Sequence, residues 1–194
     1  MPAEIVLVRH GETEWSASGK HTSRTDLPLT EAGRERATAL GPILSRRSFS
    51  LVLVSPLRRA RETCELADLG ARAEVSDDLR EWDYGAYEGV TTAEIREHNP
   101  DWVLWRDGCP DGELPAQVGE RADRVLERLR ESVDRAGGDA IVFAHGHILR
   151  VIAARWIGLP VSGGARLALS AGSISVLGFE RETEVIRLWN DSGS

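Results

Sequence analysis

Three short stretches of this chain place cationic and imidazole side chains next to glycine or at a turn. They are Arg9-His10-Gly11 in "LVRHGETEW", the arginines Arg58, Arg59 and Arg61 in "SPLRRARET", and His145-Gly146-His147 in "FAHGHILR". A histidine beside a glycine turn is open to four readings: metal ligand, general base, nucleophile or packed core residue. The "RRAR" run taken alone reads as a solvated helix face. Together the three stretches supply two or more arginines and several imidazoles. A bidentate guanidinium matches phosphate geometry, and a cationic cage stabilises charge that develops on a transferring phosphoryl group. Too few acids lie near these histidines for a zinc or two-metal site, so an anion is the expected ligand and no metal or organic cofactor is expected.

Each stretch follows an apolar run that reads as a buried strand. "EIVLV" (4–8), "FSLVLVS" (49–55) and "DAIVFA" (139–144) are continuous and rich in β-branched residues, the pattern of parallel strands covered on both faces. Helical patterns stand between them. "LTEAGRERATALGPILSRR" has Thr30 as its N-cap; "PLRRARETCELADLG" opens at Pro56 and closes near Gly70; "PAQVGERADRVLERLRESVDRAGG" has strong 3.6-residue periodicity; "ILRVIAARWIGLP" closes at Gly158 and Pro160. Between the second and third strands lies a loop-rich, tryptophan-rich segment, in which Thr91 and Glu94 form a capping box. "SISVLGFE" and "EVIRLWN" are two final strands. This alternation predicts an α/β fold, a three-layer α/β/α sandwich with a mainly parallel central sheet, as one domain over 1–194. Ligands of such sheets bind beyond the carboxyl ends of the strands, which gathers the three stretches into one site. Glycines after His10 and His145 are expected to let backbone N–H groups approach the anion.

The chain has 194 residues and a formal net charge of -7, which argues against a general nucleic-acid partner. Cys64 and Cys109 are too few for a disulfide framework. That cysteine usage suits a reduced, cytoplasmic setting, which is the expectation; no signal peptide and no membrane span is read. The expected partners are a small phosphorylated metabolite and, as a homodimer, a second copy of the chain.

Four motifs in this order, "LVRHGETEW", "SPLRRARETCELA", "LREWDYGAYEG" and "FAHGHILR", resemble the signatures of the histidine phosphatase superfamily, whose fold is phosphoglycerate-mutase-like. "SGKHTSRTDLPLT", "EWDYGAYEG" and "WRDGCPDGE" are most similar to the branch of sedoheptulose-1,7-bisphosphatase and related actinobacterial acid phosphatases. The resemblance implies that His10 is the nucleophile that becomes phosphohistidine. It implies that Arg9, Arg59 and His145 hold the phosphoryl group, with Arg59 rather than Arg58 or Arg61 on the family position. Glu81 falls where the family has its proton donor, with Glu12, Asp83 and Glu88 as competitors. Ser16, Thr22, Ser23, Tyr84, Gly146 and His147 are implied substrate contacts; Ser16 stands where many members have asparagine, and Ser23 where glycine is frequent. His21 and His147 are read either as rim residues or as substrate contacts, and Trp82, Tyr84 and Trp105 either as pocket walls or as packing anchors.

The chemistry this implies has physical requirements. The His10 ring must have one unprotonated nitrogen, and a backbone carbonyl is the expected holder of the other. A protonated His145 is expected to join the arginines in offsetting charge. A sugar alkoxide leaves poorly without a general acid, the part assigned to Glu81. The expected function is a phosphomonoesterase acting on a sugar phosphate or bisphosphate. A phosphoglycerate mutase is the alternative; a compact loop region and a chain that ends just after a strand favour hydrolysis. A non-catalytic phosphate-binding module, the alternative of another class, is expected to have lost His10, Glu81 or an arginine, and all are present.

Overall fold

A computed structural model describes residues 3–192, less the side chains of 134–136. Along the chain the elements are β1 (Ile5–Arg9), α1 (Glu14–Ser18), α2 (Glu31–Leu44), β2 (Phe49–Val54), α3 (Arg58–Leu66), β3 (Glu74–Val75), α4 (Thr92–His98), α5 (Leu104–Asp107), α6 (Pro115–Ala136), β4 (Asp139–Ala144), α7 (Gly146–Trp156), β5 (Ile174–Glu180) and β6 (Thr183–Asp191). The six strands form one sheet in the order β3-β2-β4-β1-β5-β6. The first four in that order pair in parallel; β5 and β6 pair antiparallel. The expected α/β sandwich with a mainly parallel sheet is the observed architecture.

Period-two alternation sends each central strand into two cores. Ile5 and Leu7 of β1 and Ala140, Val142 and Ala144 of β4 face α6 and α7. Val6, Val8, Ile141 and Phe143 face α2 and α3, where Leu40, Leu44, Ala60 and Cys64 meet them. Both faces are covered, which is why these strands read as unbroken apolar runs. The long helix α6 buries Val118, Ala122, Val125, Leu126, Leu129 and Val133, one stripe at helical spacing. By contrast α7 is buried nearly all round, because it lies between the sheet and α6.

Several boundaries differ from expectation. Pro56 lies outside α3: Leu57 is the N-cap, the helix ends at Leu66, and Gly70 opens a separate 3-10 turn. The last helix begins at Gly146 instead of Ile148, with His145 as its N-cap, and ends at Trp156, ahead of Gly158 and Pro160. The short helices α1 and α5 and the exposed two-residue strand β3 were not anticipated. The caps at Thr30 and the Thr91–Glu94 box form as read.

Candidate active site

Adjacent parallel strands β1, β4 and β2 end side by side and release His10, His145 and Ser55 at one edge of the sheet. The turn after β1 is pressed against the start of α2. A Cβ at Gly11 would lie 2.4 Å from the carbonyl oxygen of Gly33, so only glycine fits. The expectation that the Gly11 N–H approaches the anion is corrected: it donates to Thr63 Oγ1 at 3.0 Å, and Thr63 donates to the Arg59 carbonyl at 2.7 Å. The nucleophile turn is thereby tied to α3.

The His10 ring is almost wholly buried, and its Nδ1 lies 2.7 Å from the Gly11 carbonyl oxygen. A carbonyl only accepts, so Nδ1 carries the proton and Nε2 holds a free lone pair. Burial, then the charges of Arg59 and Arg9, hold His10 well below its ordinary pKa. His10 therefore stays neutral, the form a nucleophile needs.

His145 sits against it, ring centroids 5.1 Å apart. Its Nδ1 accepts from Arg59 Nε at 3.1 Å, and its Nε2 lies 2.7 Å from Ser55 Oγ. Since Nδ1 accepts a guanidinium proton, this imidazole is neutral, and burial with the charge of Arg59 pushes its pKa well down. The expectation of a protonated His145 is corrected here: a cation cannot also accept from Arg59.

Arg59 is fully buried. Besides His145, it donates to the carbonyls of Thr25 and Thr22, both at 3.1 Å, and of Ser23 at 3.3 Å. Arg58 and Arg61, on other faces of α3, are exposed. Arg9 is different. One of its terminal nitrogens donates to the Leu169 carbonyl, but its Nε is buried without a partner among the described residues. A buried, unsatisfied guanidinium donor is costly and marks a place where an acceptor is needed. Burial lowers the Arg9 pKa although Glu81 opposes it.

Glu81 is buried at the amino end of α7. Its Oε1 accepts from the backbone of Trp82 at 2.9 Å and of Ile148 at 3.0 Å, and its Oε2 from the backbone of His147 at 3.0 Å. Glu81 supplies the one carboxylate among the described residues lining the cavity over His10. The competitors point elsewhere. Glu12 accepts from Thr30 Oγ1, Asp83 pairs with Arg24, and Glu88 takes the backbone N–H groups of Ser23 and Thr25.

That cavity, about 170 Å³, is also lined by Arg9, Ser16, Thr22, Tyr84, Gly146 and His147. Ser16 and Thr22 use their hydroxyls locally, Ser16 in a capping box with Thr13 and Thr22 on the Lys20 carbonyl. Ser23 is the substrate contact that the structure does not bring to the site. Its N–H and hydroxyl are both spent on Glu88, and it lines a different cavity. Of the two roles open to Trp82, the structure shows the packing anchor: it is fully buried, with its indole N–H on the Glu113 carbonyl. Trp105 stays near the site, 5.2 Å from the His147 ring. His147 bonds the Tyr84 hydroxyl at 2.6 Å, and burial followed by the charge of Arg150 lowers its pKa well below the usual value.

Sequence reasoning missed Arg150, Lys20 and Leu169 in the lining, and Ser55 and Thr63 beneath it. Arg150 stacks on Trp105, 4.7 Å from the ring centroid, and donates to the carbonyls of Gly164 and Ala165. It lies one helical turn after Gly146 in α7, which was the available signal. Among the described residues no group of three or more His, Cys, Asp or Glu side chains could hold a metal ion. None of the described helices is long and apolar enough to cross a membrane.

Two neutral histidines at the ends of parallel strands, with Arg9, the buried Arg59 of α3 and the carboxylate of Glu81 beside them, define a phosphoryl-transfer class of site. Residues 5–192 match the family model of the histidine phosphatase superfamily, branch 1. The chain is 43% identical over 178 residues to an acid phosphatase of Mycobacterium tuberculosis, covering 91% of this chain and 86% of that one. It is 40% identical to the sedoheptulose 1,7-bisphosphatase of Saccharomyces cerevisiae over 80% of this chain and 68% of that protein. The solved structure of a Mycobacterium tuberculosis open reading frame superposes with a TM-score of 0.94 at 39% identity, covering 100% of both chains. The chain belongs to the histidine phosphatase superfamily, and its enzymatic class is that of a phosphatase.

Proposed function

We propose that the protein hydrolyses a small phosphorylated metabolite, a sugar phosphate or bisphosphate, through a phosphohistidine formed on His10. The observation that carries this reading is the tautomer of His10, with Nδ1–H held by the Gly11 carbonyl and Nε2 free in a cavity beside Arg9. In the first step the Nε2 lone pair forms a bond to phosphorus and the ester P–O bond breaks. The departing alkoxide takes a proton from Glu81. Arg9, through its unpartnered Nε, offsets charge on the equatorial oxygens. In the second step water attacks phosphorus, Glu81 accepts its proton, the P–N bond breaks, and His10 is restored with release of phosphate. Arg59 works from beneath: it charges the floor and holds the 22–25 loop that places Thr22.

The mouth supports a hydroxylated, anionic substrate. Tyr84 and His147 offer neutral donors and acceptors, and Lys20 and Arg150 add positive charge beyond Arg9. A second phosphate on the substrate would meet those two cations. The yeast relative named above is itself named for a bisphosphate.

The test is direct trapping. Brief incubation with a ³²P-labelled sugar phosphate and an alkaline quench is expected to leave an acid-labile label on the protein, and His10→Ala is expected to abolish it. Equal labelling of the variant removes His10 from the role. Turnover is expected to survive dialysis against EDTA.

A further inference from the structure

Glu81 stands in a loop, and loops do not hold a side chain in place unless something else does. Its carboxylate is aimed by amide groups of Trp82, His147 and Ile148. The backbone on both sides of it is held by one ion pair from a distant part of the chain. Arg121, in the second turn of α6, donates to the carbonyls of Asp78 at 2.7 Å and Arg80 at 3.0 Å, just before Glu81. The same guanidinium engages both carboxylate oxygens of Glu113, each at 2.7 Å. Glu113 then accepts the N–H of Asp83 on Oε2 at 2.9 Å, just after Glu81. Its backbone adds two more bonds: N–H to the Asp83 carbonyl at 2.9 Å, and carbonyl from the Trp82 indole at 3.0 Å. The approach is close enough that a Cβ on neighbouring Gly112 would lie 2.3 Å from the Asp83 carbonyl oxygen.

Both side chains are largely buried, with side-chain exposures of 13% for Arg121 and 20% for Glu113. A bidentate pair in such a setting fixes direction as well as distance. It lines a second cavity, of about 410 Å³, on which Glu81 also opens. Neither residue lines the cavity over His10, so neither touches the reacting atoms.

We propose that Arg121 and Glu113 are positioning residues for Glu81: they clamp residues 78–83 so that its carboxyl meets the leaving-group oxygen. This rests on the reading of Glu81 as the general acid. An acid displaced by about 1 Å loses much of its effect, while binding of the phosphoryl group and attack by His10 are untouched. The signature is therefore a dependence on the leaving group.

The experiment measures single-turnover rates for a series of aryl and benzyl phosphates, from p-nitrophenyl to benzyl, with wild type, Glu81→Gln, Arg121→Gln and Glu113→Gln. Arg121→Gln is expected to slow benzyl phosphate by about 10-fold or more and p-nitrophenyl phosphate by less than about 3-fold, on the scale of general acid catalysis. The Brønsted plot of rate against leaving-group pKa becomes steeper. Glu113→Gln, which keeps an acceptor for Asp83 but loses the negative charge that pairs with Arg121, is expected to shift the slope in the same direction by less. It also stands in if Arg121→Gln fails to fold by circular dichroism. A parallel drop across the series, or no drop, overturns the clamp while Glu81→Gln still shows the steep slope. If Glu81→Gln itself shows no steepening, the assignment of Glu81 falls and the clamp with it.

Discussion

The two ends of the central strands treat arginine in opposite ways. At the amino ends, Arg47 lies between Glu4 and Asp139, 2.8 and 2.7 Å from their carboxylate oxygens. Burial pulls its pKa down, but the hydrogen bonds it donates to both carboxylates, with their negative charge, outweigh this and leave it raised. At the carboxyl ends, Arg9 and Arg59 are more deeply buried, and neither forms an ion pair among those described. Carbonyls and an imidazole serve them instead, and one Arg9 donor has no partner. Desolvation dominates there and lowers both. Carbonyl dipoles orient a guanidinium without neutralising it. The amino-end cluster is electrostatically complete, whereas the carboxyl-end cluster retains positive charge that a phosphoryl dianion would complete.

The largest effect expected from this contrast is at Arg59. Arg59→Ala removes floor charge and releases the carbonyls of Thr22, Ser23 and Thr25. It is expected to cost about 3 kcal/mol in kcat/KM, roughly 150-fold, the scale of losing one oxyanion donor. Arg61→Ala, two residues on and exposed, is expected to change it by less than about 3-fold. Thermal melts of both variants separate unfolding from lost catalysis. Equal losses would mean that burial of Arg59 has no bearing on phosphoryl binding.

How much of this was legible beforehand follows from which forces leave a local trace. Strands β1, β2 and β4 are written as apolar runs because both faces are buried, and α6 as a stripe because one face is. A strand end is then readable, so Arg9, His10 and His145 could be placed at one edge from pattern alone. Contacts that cross the chain leave no such trace. Ser23 matched a substrate loop, yet its hydroxyl is spent on Glu88, 65 residues away. His145 had the residue type of a cation, and only its bond from Arg59, 86 residues away, shows it to be an acceptor. The 78–83 segment has no readable period; it starts in a 3-10 turn at Asp77–Leu79, and its backbone is bonded by Arg121 and Glu113 from far along the chain. The exposed pair Glu74–Val75 becomes a strand only because β2 offers it an edge.

An intermediate effect concerns protons. His10, His145 and His147 are all held well below the ordinary value of 6.5, with desolvation as the largest cause. Unfolded, each binds a proton below pH 6.5; folded, each resists until much lower. The unfolded state thus binds more protons in that window, and stability rises with pH through it. Each histidine's share is complete above pH 6.5 and is lost as pH falls below it, by up to about 1.4 kcal/mol per pH unit. Urea unfolding at pH 7.0 and 5.5 is expected to show lower stability at 5.5. Carboxylates contribute to that slope as well, so the informative quantity is the difference from His147→Gln, whose slope should be shallower. Parallel slopes would indicate that His147 is not held neutral. For catalysis the same direction of shift keeps His10 in its unprotonated, nucleophilic form to lower pH than a free imidazole.

The smallest effect tests the completed end. Arg47→Ala leaves Glu4 and Asp139 facing each other without their shared cation, and Asp139 Oδ1 still accepts the Glu4 N–H at 2.9 Å. All three side chains are partly solvated, at 32%, 24% and 20% exposure, so water screens most of what is lost. Arg187 also approaches Glu4, at 3.6 Å, and can take up part of the charge. The expected cost is about 1 kcal/mol of stability, read from the urea midpoint, shrinking as salt is raised to 0.5 M. Turnover of p-nitrophenyl phosphate should not change, because the cluster sits at the opposite ends of the strands from His10. If Arg47→Ala lowered kcat/KM as Arg59→Ala does, with the fold intact by its melt, the two ends would be coupled through the sheet, and charge at the strand tips could not be treated as a local property of either edge.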